Sequence, residues 1–163
     1  MKIHIIGGSG SGKTTISQRL ADKYNLPLLE LDEIYWNDGN YNIKRPKYER
    51  NRLLNSFLKN DRWIIEGVYY KWLDDSFNDS DYIFILDVNR HLRNYRICKR
   101  FFVRKFNKTH KSESISSLIE LILWNNKFDK KNMLKIKEKL NINFSNKTFI
   151  IRSYDDIESI IEN

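Results

Sequence analysis

The segment Gly7-Gly8-Ser9-Gly10-Ser11-Gly12-Lys13-Thr14, followed by Thr15, fits the pattern G-x-x-x-x-G-K-[ST]. Each fixed position answers a need of phosphate chemistry. Glycines let the backbone wrap a β-phosphate with no Cβ in the way, Lys13 can reach the β and γ oxygens, and the Thr14 hydroxyl is a ligand for Mg²⁺. The β-branched run Ile3–Ile6 predicts a strand before the motif. Lys13–Tyr24 predicts a helix after it, with Ile16, Leu20 and Tyr24 on one face. That order aims backbone N–H groups and the positive end of a helix at the phosphates. A glycine-rich turn without nucleotide is the plainer alternative, and the strand and helix around the motif argue against it. The pattern therefore predicts a site for ATP with Mg²⁺.

Phosphoryl transfer also needs a metal organiser and a group that positions the nucleophile. Three acids stand at the ends of expected strands: Asp32, Glu66 and Asp87. Asp32 precedes the Tyr35-Trp36 pair and is suited to hold or deprotonate an acceptor hydroxyl. Glu66, just before Gly67, is placed to hold Mg²⁺ through water, and Asp87 is its rival. A strand-terminal acid can equally cap a turn or the next helix.

Net charge is +8, and the segment Arg90–Lys111 holds nine of the Lys and Arg without one acid. The rest of the chain is therefore close to neutral. On a helix, Arg93, Arg96, Arg100 and Arg104 form one stripe. Guanidinium forks in that arrangement suit transferring phosphoryl oxygens, a nucleic-acid backbone, or simply solvent. Lys44, Arg45 and Arg50 are either anchors for an acceptor phosphate or surface charges.

These residues need a frame. The chain has 163 residues, 40% of them hydrophobic, which suits one folded domain over residues 1–163. No run of about 18 apolar residues occurs, so no membrane span is expected, and the cytoplasm is the expected location. Cys98 is the only cysteine, which excludes an internal disulfide, and His4, His91 and His110 lack the spacing of a zinc site. Further strands are expected at Leu26–Leu31, Trp63–Gly67, Tyr82–Asp87 and Thr148–Ile151. Helices are expected from Pro46, over Asn89–Phe106, Ser114–Trp124 and Asn132–Leu140, and from Ser153, with a loop over Tyr35–Arg45 that turns at Asn37–Asn40. Alternation of strand and helix predicts a parallel sheet covered on both faces, with ligands at the carboxyl ends of the strands.

Gly7–Thr15, Leu31-Asp32 with Tyr35-Trp36, Trp63–Tyr69, Asp81–Asp87, Arg96 with Arg100, and Trp124 together give a resemblance to a known family. The chain resembles the adenylate-kinase-related proteins often labelled DNA topology modulation proteins, within the P-loop nucleoside and small-molecule kinases. The resemblance implies an α/β P-loop NTPase fold of three layers, α/β/α, with a five-stranded parallel sheet in the order 2-3-1-4-5. It also implies a basic helical lid, an insert at about 90–125. Glu66 then matches the metal-holding carboxylate, Arg96 and Arg100 the catalytic arginines at the base of the lid, and Tyr35 and Trp36 border the acceptor pocket. Two departures stand out. Strand three usually ends in aspartate in such proteins, and no glycine follows Gly67, so the lid around Phe101–Lys111 lacks a glycine turn.

The expected function is an ATP- and Mg²⁺-dependent phosphotransferase that moves a γ-phosphoryl group to a small acceptor, a nucleoside monophosphate or another small metabolite. Lys13, Thr14, Glu66, Arg96 and Arg100 are its expected machinery, with Asp32 facing the acceptor. The competing expectations are a nucleotide-switched nucleic-acid-binding regulator that uses Arg93–Lys111, and a nucleotide binder without turnover.

Overall fold

The computed structural model describes residues 1–37, 40–106 and 114–162. Its elements are β1 (Lys2–Gly7), α1 (Lys13–Tyr24), β2 (Leu28–Glu30), α2 (Leu31–Tyr35), β3 (Trp36–Asn37), β4 (Asn40–Lys44), α3 (Lys47–Phe57) and β5 (Trp63–Gly67). They continue with α4 (Asp74–Asp79), β6 (Tyr82–Leu86), α5 (Arg90–Phe106), α6 (Ile115–Phe128), α7 (Leu134–Phe144), β7 (Thr148–Ile151) and α8 (Tyr154–Ile161). A π-helical turn at Asp129–Met133 joins α6 to α7, and a 3₁₀ turn at Ser145–Lys147 leads into β7.

The five parallel strands run in the order β2-β5-β1-β6-β7. Counted without the separate β3-β4 hairpin, this is the expected order 2-3-1-4-5. Side chains alternate across each strand, so one strand feeds two cores. Ile3 and Ile5 of β1, Ile64 of β5 and Phe84 and Leu86 of β6 pack on α1 and α8 through Ile16, Leu20, Ala21, Tyr154 and Ile157. Ile6, Trp63, Ile65, Ile83 and Ile85 point to the other face. There they meet Leu54 of α3, Phe77 of α4, and Phe128, Ile136 and Leu140 from α6 and α7. The result is three layers, α/β/α. Both faces being covered explains why these strands read as unbroken apolar runs.

The ends of the helices follow local rules. Ser114 caps α6 in a reciprocal box with Ser117, and Ser153 caps α8 with Asp156. Pro46 sits at the N-cap of α3. Pro27 lies outside β2, which is an edge strand.

Three sequence expectations need correction. Tyr35–Arg45 is not a loop: Leu31–Tyr35 is a short helix, and Trp36–Asn37 pairs antiparallel with Asn40–Lys44. Asp38 and Gly39 of the expected turn, and Asn107–Lys111 of the expected lid turn, lie outside the described residues. The helices expected at Ser114–Trp124 and Asn132–Leu140 are longer, and the π-helical turn makes them almost continuous. Helix α4, six residues long, is too short to leave a periodic signal.

His4 stands in the central strand, fully buried, with Nδ1 3.2 Å from the Ser76 hydroxyl and its ring 4.6 Å from that of Phe77. Burial pushes its pKa down to about 3, so the folded protein holds it neutral while the unfolded chain takes up a proton near pH 6.5. The unfolded state therefore binds more protons between those values, and stability falls as the pH drops below 6.5, at up to about 1.4 kcal/mol per pH unit. Urea unfolding at pH 7 and pH 5 should show a loss of about 2 kcal/mol from this group. His4→Gln should remove that component and leave the rest of the pH dependence in place.

Candidate functional site

The carboxyl ends of β1, β2 and β5 meet at one edge of the sheet. Glu66 pairs in register with Glu30 on one side and Ile5 on the other, so it faces the α1 layer. The loop 7–14 turns there from β1 into α1, with positive φ at Gly10 (75°) and Gly12 (103°). Those are conformations that favour glycine.

Thr14 Oγ1 donates to Glu66 Oε1 at 2.6 Å. Lys13 Nζ stands 3.8 Å from the other carboxylate oxygen and donates to the Gly8 carbonyl at 3.3 Å. Burial of Lys13 is the main influence that lowers its pKa. Glu66 and then Asp32 pull it back up, while Arg93 and Arg100 add to the lowering. Glu30 is pushed up, first by its burial and then by Glu66. A hydroxyl and a carboxylate side by side at a helix N-terminus, beside a lysine, are a donor set that fits a hard divalent cation completed by phosphate and water oxygens. The residues present therefore fit Mg²⁺ with a nucleotide phosphate chain.

Helix α5 lies against this loop. A Cβ on Gly8 would fall 1.6 Å from Arg93 Nη1, and one on Gly10 would fall 2.7 Å from the Arg93 carbonyl and 3.0 Å from Ile97 Cγ1. Arg96 Nη1 donates to the Ser11 carbonyl at 3.0 Å. Arg100 comes close enough to act on the Lys13 ammonium. The expected arginine stripe is thus turned at its start toward the phosphate loop.

Arg93, 1% exposed, carries more than the stripe conveyed. Its guanidinium pairs with Asp129 and donates to Asn125 Oδ1 at 3.2 Å, so the end of α6 is fastened to α5 directly over Gly8. Asn94 adds two amide hydrogen bonds, to Asn126 and from Asn125, both of 3.1 Å. Sequence reading missed Asn125 and Asp129. Their spacing of four on one helix is visible in the chain, but nothing local ties it to Arg93.

On the other side of Lys13, Asp32 lies in α2, and the Tyr69 hydroxyl donates to its Oδ1 at 2.6 Å. Burial first, then the Asp32 charge, pushes the Tyr69 pKa up, so the phenol stays protonated. Tyr35 stacks on Tyr69 with ring centres 4.3 Å apart, Trp36 meets Tyr35 edge-on at 4.9 Å, and Trp72 lies 5.8 Å from Tyr69. Asp32, Tyr35 and Trp36 are therefore brought together, and Tyr69 and Trp72, from the chain after β5, complete the cluster. Asp87, the rival metal group, is instead bonded by Lys137 Nζ of α7 at 2.6 Å.

No family model matches the chain. Over 107 residues, 65% of its length, it is 33% identical to the uncharacterized protein YqaC of Bacillus subtilis (strain 168), of which the match covers 60%. The chain thus spans less than two thirds of the curated relative it matches. Among solved structures it is similar to a shikimate kinase from Bacteroides thetaiotaomicron, with a TM-score of 0.57 and 15% identity over 100% of this chain and 99% of that one. It is also similar to a gluconokinase from Sinorhizobium meliloti 1021, with a TM-score of 0.58 and 14% identity over 96% of this chain and 86% of that one. The fold is that of a P-loop NTPase. At these identities the likeness is one of fold. Among the described residues no helix is long and apolar enough to cross a membrane.

The Arg93–Asp129 pair yields a stability prediction. Asp129→Asn leaves a buried guanidinium without its counter-charge and should cost about 3 kcal/mol in chemical unfolding. Arg93→Met combined with Asp129→Leu should recover most of that loss, because a packed apolar pair replaces a broken ionic one.

Proposed function

We propose that the chain is an ATP- and Mg²⁺-dependent phosphotransferase of the adenylate-kinase-related group, acting on a small acceptor. Residues 1–163 form one catalytic domain in this reading, with about 90–125 as its basic lid. The observation that carries it is the Thr14–Glu66–Lys13 cluster, in which hydroxyl, carboxylate and ammonium meet at the N-terminus of α1. Gly7–Thr15 would wrap the phosphate chain, Thr14 and Glu66 would hold Mg²⁺, and Lys13 would reach the β and γ oxygens. Mg²⁺ held there would supply charge neutralisation at the transferring group. Arg96 and Arg100 stabilise the charge that develops on the phosphoryl oxygens. Asp32 holds the acceptor against Tyr35 and Trp36, and takes its proton where the attacking group is a hydroxyl.

A second reading, a nucleotide-switched nucleic-acid binder, draws support from the outward side of α5. Phe102 and Phe106 are exposed there beside Lys99 and Lys105. It requires a steep salt dependence of DNA or RNA affinity that is reduced when Lys99 and Lys105 are neutralised. The inward set of Arg93 and Arg96 favours the phosphotransferase.

The test is ADP release from Mg·ATP with a panel of candidate acceptors. Lys13→Ala should abolish acceptor-dependent release while the fold is retained by circular dichroism. Arg100→Ala should lower kcat at least tenfold with less than a threefold change in ATP affinity, because its contact strengthens in the transition state. Normal turnover by Lys13→Ala, or an Arg100→Ala effect confined to ATP affinity, would remove the assigned role.

A further inference from the structure

Arg50 of α3 is 8% exposed, and among the described residues no carboxylate pairs with it. Its Nε and Nη2 donate to the neutral Asn51 side-chain oxygen at 3.1 and 2.7 Å. The guanidinium carbon lies 3.8 Å from the centre of a Trp72 ring, whose buried Nε1 has no hydrogen-bond partner. The same guanidinium acts on Tyr35 and Tyr69, the two stacked rings of the acceptor side. Burial pushes its pKa down, the cost of holding a cation in a dry place without a counter-ion. A guanidinium so placed is preorganised for an anion that arrives with a ligand.

The other end of the aromatic cluster has the opposite character. Tyr69 links the two ends, with its hydroxyl on Asp32 and its ring beside Trp72. Glu30, two residues before Asp32, is the register neighbour of Glu66, and the charges of Glu66, Glu33 and Asp32 all act on it. An acceptor phosphate attacking from that place would meet like charges. A neutral hydroxyl would meet a carboxylate able to accept its proton.

We infer that the acceptor is a hydroxyl compound that carries a separate anionic group, its hydroxyl at Asp32 and its carboxylate or phosphate at Arg50. The hydroxyl half of this inference rests on the phosphotransferase reading; the anion site stands without it. In the step, the acceptor oxygen bonds to the γ-phosphorus as the bond from that phosphorus to the β–γ bridging oxygen breaks. ADP leaves with the electron pair, and the hydroxyl proton passes to Asp32 and on to solvent. The product is a phosphate ester, not the phosphoanhydride that a nucleoside monophosphate would give. Arg50 is the residue that selects the acceptor.

The experiment has two arms. In the first, intrinsic tryptophan fluorescence is titrated with hydroxy acids (glycerate, gluconate, quinate), sugar phosphates (ribose 5-phosphate, glucose 6-phosphate), the neutral polyols glycerol and inositol, and AMP. Wild type, Arg50→Met, Arg50→Lys and Trp72→Phe are compared, each checked for its fold by circular dichroism. An anionic hydroxyl compound should change the signal, the neutral polyols should not, and Trp72→Phe should diminish the change to whatever Trp36 contributes. Arg50→Met should weaken binding by roughly thirtyfold or more, with Arg50→Lys intermediate. Whether hydroxy acids or sugar phosphates respond names the anion. In the second arm, ³¹P NMR follows Mg·ATP with each compound. A phosphomonoester signal, with the acceptor KM raised in Arg50→Met and the ATP KM within twofold of wild type, is the expected result. A phosphoanhydride product from AMP, or a neutral polyol used as well by Arg50→Met as by wild type, overturns the inference. Absence of transfer to every compound, with binding in the first arm intact, refutes the phosphotransferase reading while upholding the anion site. Absence of an Arg50-dependent response to any anionic compound overturns the site itself.

Discussion

A lysine ammonium that is 8% exposed must be given partners by whatever surrounds it, and Lys13 finds them in the Gly8 carbonyl and the Glu66 carboxylate. This requirement reaches through most of the fold. Glu66 can serve only because β5 lies next to β1 and in parallel with it, with its carboxyl end level with the start of the loop. The crossover that makes β5 a neighbour of β1 is itself held by two apolar faces, α1 and α8 on one side and α3, α4, α6 and α7 on the other. Loss of that register by one residue would carry Glu66 to the opposite face and leave Lys13 without its counter-charge.

The glycines of the loop meet two needs at once. Gly10 has the positive φ that the turn of the loop needs, and Gly8 and Gly10 both leave room for α5, whose Arg93 occupies the space a Cβ on Gly8 would need. Because Arg93 is paired with Asp129, the end of α6 and the start of α5 are joined at the point where both touch the loop. The ion pair sits in a buried polar network with Asn94, Asn125 and Asn126. Removing one member of such a network is costly, because it leaves a buried polar group unpaired. The π-helical turn begins at Asp129, where the helix must change its winding to place that carboxylate while α7 stays packed on the sheet.

What the sequence discloses follows from the range of the interactions involved. The phosphate loop and α1 are legible because a strict pattern and a single strand-to-helix turn lie within a short stretch. The expected helix Lys13–Tyr24 coincides with the observed one. The sheet order came from resemblance and not from periodicity, since strand alternation says that strands are parallel and not which ones touch. The arginine stripe was visible as a stripe, but a period of 3.6 does not say which side faces the loop. Arg93 therefore looked no different from Arg104. The aromatic cluster was half visible. Tyr35 and Trp36 follow Asp32 directly, whereas Tyr69 closes on Asp32 across 37 positions of sequence. Arg50 looked equally like a surface charge and an anchor, and only its burial against Trp72 separates the two.

The length of the glutamate side chain at position 66 has a mechanical reason. Its carboxylate spans two tasks, with Oε1 on the Thr14 hydroxyl at 2.6 Å and Oε2 facing Lys13 Nζ at 3.8 Å. An aspartate on the same backbone would draw the carboxylate back by about 1.5 Å, one carbon–carbon bond. The Thr14 contact would then exceed hydrogen-bond length and the Lys13 ion pair would be lost. The extra methylene lets a side chain on β5 reach α1 directly, without an intervening water. The reach also brings the Glu66 charge to bear on Glu30, its register neighbour, whose pKa is pushed up first by burial and then by that charge.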